Sequence, residues 1–159
     1  MKTINITLDT ASINKAIKEL NQYQKDIERK ADEICERLMQ LGAERVSWNF
    51  ALVSPFISDK GRDYEITVRN EGKDWILTAG GTEVLFLEFG SGLIGIGHPD
   101  NLGFKPGSYS LKGHWNDPAG WHTPLGQRSY GNPPSMGFYD ARVQMMEALV
   151  DIAEEILKW

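Results

Sequence analysis

The clearest pattern in the chain is a single apolar stripe near its start. Ile13, Ile17, Leu20, Gln24, Ile27, Ala31, Ile34, Leu38 and Leu41 follow one another at spacings of four and three, and only Gln24 is polar. That period predicts a helical region over residues 11–50 with one apolar edge. Asp9, Thr10 or Ser12 can cap its start. Before it, Ile4, Ile6 and Leu8 alternate with Asn5 and Thr7, which predicts a short strand over residues 1–9 with one buried face. An unbroken helix over 11–49 would run to about 58 Å at 1.5 Å per residue, whereas a domain of this size has a radius of gyration of about 15 Å. A break is therefore expected, either at the polar cluster Asn21-Gln22-Tyr23-Gln24, where the stripe lapses, or at Gly42. If the rod were straight it would project, and its stripe would suit pairing with a second chain. Otherwise the stripe packs on the domain's own sheet.

Past residue 54 the period shortens to two. Tyr64, Ile66 and Val68 alternate with Glu65, Thr67 and Arg69; Asn70-Glu71-Gly72-Lys73 supplies a turn; Trp75, Ile76, Leu77 and Thr78 return. Gly80-Gly81 then leads into Val84-Leu85-Phe86-Leu87-Glu88-Phe89-Gly90-Ser91-Gly92, an apolar run with one carboxylate. Its glycine bounds and aromatic content predict a third strand, buried on both faces, that completes an antiparallel meander over residues 63–90. Glu88 is the anomaly, because a carboxylate among aromatics needs donors or a cation. Its expected role is to hold the turn from Gly90 to Gly97 through backbone N–H groups; the other reading makes it a catalytic acid.

Eleven of the sixteen glycines and six of the seven prolines fall between Gly90 and Gly137. Residues 91–134 thus form a long Gly/Pro-rich loop without periodicity, the kind of segment that serves function or orders on a partner. Its aromatic residues, Phe104, Tyr109, Trp115, Trp121 and Tyr130, speak against simple solvated disorder. A last helix follows over residues 135–158. Pro133-Pro134-Ser135 announces it, Asp140 suits its positive end and Lys158 its negative end. Tyr139, Val143, Met146, Val150, Ala153 and Leu157 form one apolar row, and Phe138, Met145, Leu149, Ile152 and Ile156 form the row beside it. The predicted fold is α+β, a single domain with helices packed on a small antiparallel sheet.

With 159 residues, 41% hydrophobic and 25% charged, the chain can bury a real core. A net charge of −5 argues against a sequence-independent nucleic-acid binder, and no long apolar run suggests a membrane span. The single Cys35 excludes an internal disulfide and suits a reducing compartment. No phosphate loop, GxSxG elbow, HExxH or CxxC pair is present. No cofactor is implied. Two rival chemistries remain open. His98, His114 and His122, with Asp100, Asp117 or Glu88, could form a three-ligand metal site in a small hydrolase. Trp115, Trp121 and Tyr109 could stack on a carbohydrate ring or a peptide.

The order of elements, the core Leu87-Glu88-Phe89-Gly90-Ser91-Gly92, the segment Gly97-His98-Pro99, the Trp115 and Trp121 region, and Pro133-Pro134-Ser135-Met136 leading through Tyr139-Asp140-Ala141 into a last helix resemble the tail-component family of long-tailed, HK-type bacteriophages. These are small neck or tail-completion proteins encoded between the head–tail connector and tail tube genes. The family usually has Thr where this chain has Ser91. The resemblance implies a virion structural protein without an active site, made in the host cytoplasm. It would act at the head–tail junction as a homo-oligomeric ring in contact with the connector, the tail terminator and the tail tube. Glu88, Phe89, Gly90 and Gly92 would be the structural motif. Phe104, Trp115, Trp121 and Trp159 are the expected interface, because a small sheet and two helical regions cannot bury them all.

Overall fold

One helix, α1 (Thr10–Val53), carries the architecture. The computed structural model describes residues 7, 9–54, 63–92, 94, 95, 119–122 and 126–158. The expected N-terminal strand lies outside them. Of the three candidates Asp9, Thr10 and Ser12, it is Asp9 that caps α1, its carboxylate accepting from the Ser12 N–H at 2.8 Å. The expected break is absent: α1 is continuous through both candidate positions. At the polar cluster, side chains one turn apart close on each other, Gln22 donating to Asp26 at 3.3 Å and Gln24 to Glu28 at 2.9 Å, so the lapse in the stripe costs the helix little. Gly42 has a packing reason instead. A Cβ there would lie 2.8 Å from the Met145 sulfur, so glycine lets the last helix approach closely.

After α1 come two antiparallel strands, β1 (Glu65–Glu71) and β2 (Asp74–Gly80), joined at Gly72 and Lys73. Their register runs from Glu65 opposite Gly80 to Glu71 opposite Asp74. Ile66 and Val68 take the half-buried face, and the exposed face carries the Thr67–Thr78 hydroxyl pair. The meander stops there. The predicted third strand is instead a short helix, α2 (Val84–Phe89), which ends at Gly90 in a backbone conformation with φ 75°. A short apolar run fits either structure by pattern alone, and tertiary context decides between them.

The long loop also contains structure. β3 (Ser91–Gly92), β4 (Trp121–His122), β5 (Arg128–Ser129) and β6 (Gly131–Asn132) form two further antiparallel pairs, β3 with β6 and β4 with β5. The last helix, α3 (Gly137–Leu157), lies antiparallel along the C-terminal part of α1. Asn49 meets Asp140, Arg45 meets Gln144, and Arg37 meets Glu155, all by direct polar contact. The fold is α+β, and among the described residues there are three two-stranded sheets rather than one larger one.

The core sits where these elements converge. Val46, Phe50 and Val53 of α1 pack with Leu87 of α2 and Ala141 of α3, and Tyr64, Ile66, Leu77, Ala79, Val84 and Phe138 close around them. The Phe50 ring meets Tyr64 and Phe138 edge-on, with centroids 5.3 and 6.1 Å apart. Such edge-on contacts suit the ring quadrupoles and fix the angle at which the hairpin and α3 meet α1.

Candidate functional site

The motif around Glu88 lies at the junction of the three helices. Glu88 is 3% exposed, and its carboxylate accepts backbone hydrogen bonds from Phe138 at 2.9 Å and Tyr139 at 3.3 Å. Those are first-turn N–H groups of α3, which a helix leaves without internal partners. The donors are therefore backbone, as expected, but they belong to α3 instead of the turn from Gly90 to Gly97. Local sequence explains the need. The residue before α3, Met136, has a left-handed backbone (φ 55°) and makes no side-chain cap, and the hydroxyl of Ser135, the last residue of the expected entry signal, finds no partner among the described residues. Glu88 supplies the missing cap from a distant part of the chain, and its charge suits the positive end of the helix dipole.

Main-chain bonds tie the same two segments together. Ser135 N–H donates to the Leu87 carbonyl at 2.8 Å, and Met136 N–H donates to the Glu88 carbonyl at 3.3 Å. Asn49 reaches in from α1, donating to the Ser135 carbonyl at 2.9 Å and to the Asp140 carboxylate at 2.8 Å. Asn132, 2% exposed, donates to the carbonyls of Phe86 and Pro133, and the Ser91 hydroxyl donates to its side-chain oxygen. Asn49 and Asn132 were not singled out from sequence, and Ser91 was named only as the family's usual Thr position. Apart from the carbonyl of the adjacent Pro133, their partners lie 41 to 91 residues away, a separation that leaves no local pattern.

The glycines of the motif are set by crowding. Gly92 (φ 63°) leaves only 2.3 Å between a would-be Cβ and the Tyr130 carbonyl oxygen, and the Trp121 ring lies at 2.9 Å. Gly131 (φ 110°) is tighter still, at 1.8 Å from the Ser91 carbonyl oxygen. Trp121 thus packs against the motif, half-buried on β4. Of the other expected interface residues, Phe104, Trp115 and Trp159 lie outside the described residues, as do His98, His114, Asp100 and Asp117. His122 is exposed beside Trp121. Among the described residues no group of three or more His, Cys, Asp or Glu could hold a metal ion.

Around this junction the protein leaves large apolar side chains outside. On α1, Ile13, Ile17, Leu20 and Ile27 are all exposed, as are Trp48 (64%) and Leu52 further along. On α3 the row that begins at Tyr139 opens outward beyond Val143: Met146 is 66% exposed and Val150 60%, with Leu157 on the same row and Leu149 from the neighbouring row beside them. An open groove of about 670 Å³ runs along that outer row, lined by Leu149, Val150, Ala153, Glu154, Leu157 and Lys158. No helix among the described residues is long and apolar enough to cross a membrane. Comparison with known protein families, with curated proteins and with solved structures finds no match to this chain.

Proposed function

We propose that the chain is a structural component of the neck or tail-completion assembly of a long-tailed bacteriophage or prophage, acting at the head–tail junction by assembly without catalysis. It is made in the host cytoplasm and becomes part of the virion, where its partners are further copies in a ring, the connector, the tail terminator and the tail tube. The observation that carries the assembly reading is the exposed apolar surface: the rows on α1 and α3 are larger than the scattered apolar residues of an ordinary monomer surface. The phage context comes from the sequence resemblance, whose central residues, Glu88 through Gly92, form the knot that holds α3 and its outer row in place.

The rival readings draw less support. Glu88, the carboxylate a hydrolase would need, is committed to two backbone donors. Trp121, half of the pair a sugar- or peptide-binding module would present, is packed against Gly92. The test is immunogold labelling of particles from the native phage with an antibody against this chain. Gold at the head–tail junction is the expected result; intact tailed particles that never label, and that lack the chain by mass spectrometry, would overturn the reading.

A further inference from the structure

The chain enters α3 through one strained residue. Among the described residues Met136 is the one non-glycine residue with a positive φ, 55°, a conformation that a side chain makes costly. The residues just before it are fastened to the body of the protein: Asn132 donates to the Phe86 carbonyl at 2.8 Å, and the Ser135 N–H donates to the Leu87 carbonyl at 2.8 Å. Between those anchors stand Pro133 and Pro134, whose fixed φ and missing N–H stop the segment from sharing the strain. Everything after Met136 is the 21-residue helix. One left-handed residue therefore turns α3 back onto its own chain, and Gly137 beside it holds the start of the helix so close to Phe50 that a Cβ would lie 2.8 Å from the ring.

We propose that α3 is exchanged between copies of this chain. Met136 opens to an extended backbone, and α3 docks on the α1 of a second copy, where that copy's Glu88 caps it. The inference rests on the homo-oligomer part of the reading above and gives that oligomer its contact. Three observations select a second copy as the acceptor. First, the polar contacts that hold α3 all reach far along the chain: Glu88 accepts from the Phe138 N–H at 2.9 Å, Asn49 donates to Asp140 at 2.8 Å, Arg45 donates to Gln144 at 2.7 Å, and Arg37 pairs with Glu155 at 3.0 Å. A second copy offers the same groups in the same places. Second, α3 cannot leave its site empty, because Ala141 is fully buried in the core and the Phe138 ring packs edge-on against Phe50. The occupant of a vacated site must be another α3. Third, the left-handed turn is needed only while α3 folds back on its own chain. Exchange relieves it and keeps the contacts of α3, and a short strained hinge is where such exchange is favoured. Passed from copy to copy, the exchange closes a ring.

The full chain carrying Cys35→Ser, Arg37→Cys and Glu155→Cys tests this without reference to any virion. The two side chains replaced are 43 and 61% exposed, and the ion pair they make is a surface one shared by both forms, so the variant keeps the fold and favours neither form. A short bis-maleimide joins the two new thiols wherever an α3 lies on an α1. The protein is refolded from urea at high concentration, separated by size, diluted, cross-linked and run on a denaturing gel. The expected result is covalently joined chains from the oligomer fraction and single, internally bridged chains from the monomer fraction. Met136→Gly, which removes the strain from the closed form, should weaken the oligomer by about fivefold or more per exchanged helix. An oligomer bridged only within single chains, no oligomer after refolding, or one that Met136→Gly leaves as strong would each overturn the inference. Failure here with gold still at the head–tail junction leaves the virion reading standing, and a bridged oligomer formed by a protein absent from particles does the reverse.

Discussion

Replacing Glu88 with Gln isolates the charge from the shape. The wild-type carboxylate offers an oxygen to each of two N–H groups, at 2.9 Å from Phe138 and 3.3 Å from Tyr139, in a site 3% exposed. A glutamine of the same length offers one oxygen and one NH2 group. With its oxygen on the Phe138 N–H, its amide donor faces the Tyr139 N–H, and neither donor has room to turn to water. One hydrogen bond to a charged acceptor is worth about 1.5–3 kcal/mol, and the interaction of a partly buried charge with a helix end adds up to about 2 kcal/mol. Against this, the neutral amide costs less to bury. The net expectation is a loss of about 2–4 kcal/mol, a large share of the stability of a domain this size. The fold should survive, because α3 is also held by Asn49 and by its packing on α1. Urea unfolding followed by circular dichroism measures the loss as a lower midpoint at unchanged slope. Amide exchange adds a local readout, with Phe138 and Tyr139 expected to lose protection ahead of the rest of α3. A loss below about 0.5 kcal/mol would refute the reasoning, since no buried charge-assisted cap is worth so little.

Other perturbations read other parts of the account. Gly131→Ala should cost more than about 2 kcal/mol, because the methyl meets the Ser91 backbone oxygen, whereas Gly126→Ala, with φ 79° and open space around it, should cost only the left-handed backbone penalty of about 1 kcal/mol; equal losses in thermal unfolding would contradict the crowding argument. Asn49→Leu should cost about 1–3 kcal/mol by leaving the Ser135 carbonyl without its side-chain donor, and a neutral result in the same assay would count against the junction. Asp9 has its pKa held below the usual carboxylate value, first by the Thr7 hydroxyl and then by the Ser12 N–H. Its contribution to capping α1 is therefore complete above the ordinary carboxylate pKa and lost as pH falls through the lowered one. Amide exchange over residues 10–13 should rise in acid in the wild type and show no such acid step in Asp9→Asn.

The parts legible in the sequence were those with local causes. The stripe from Ile13 to Leu41 marked α1, the cluster Asp9, Thr10 and Ser12 marked its start, and the alternation around Ile66 with the Gly72 turn marked the hairpin. The continuity of α1 was hidden because the expected size of the domain favours a break. In the structure α1 runs unbroken for 44 residues, supported by side-chain pairs one turn apart and capped by Asp9. The segment from Val84 to Phe89 misled for a different reason. Six residues are too few for a period to declare itself, and from the helix Glu88 reaches a helix end fifty residues later. Glu88 itself was legible as a structural carboxylate, since its burial demanded donors; which donors was not, because they lie on another helix. Asn49 and Asn132 gave no signal, and Ser91 none of its buried bond to Asn132, as polar side chains reveal a buried role only when their distant partners are in place. The outer row of α3 was visible as one of two apolar rows, yet only the packing of α3 on α1 tells which row remains open.

The central claim, that the chain works by joining head and tail through assembly, is tested most directly by interrupting its gene in the native phage and examining the lysate by electron microscopy. The account predicts filled heads and separate tails, or tails of abnormal length, with joined particles restored by the wild-type gene supplied in trans. Normal numbers of complete, infectious tailed particles from the interrupted phage would contradict it.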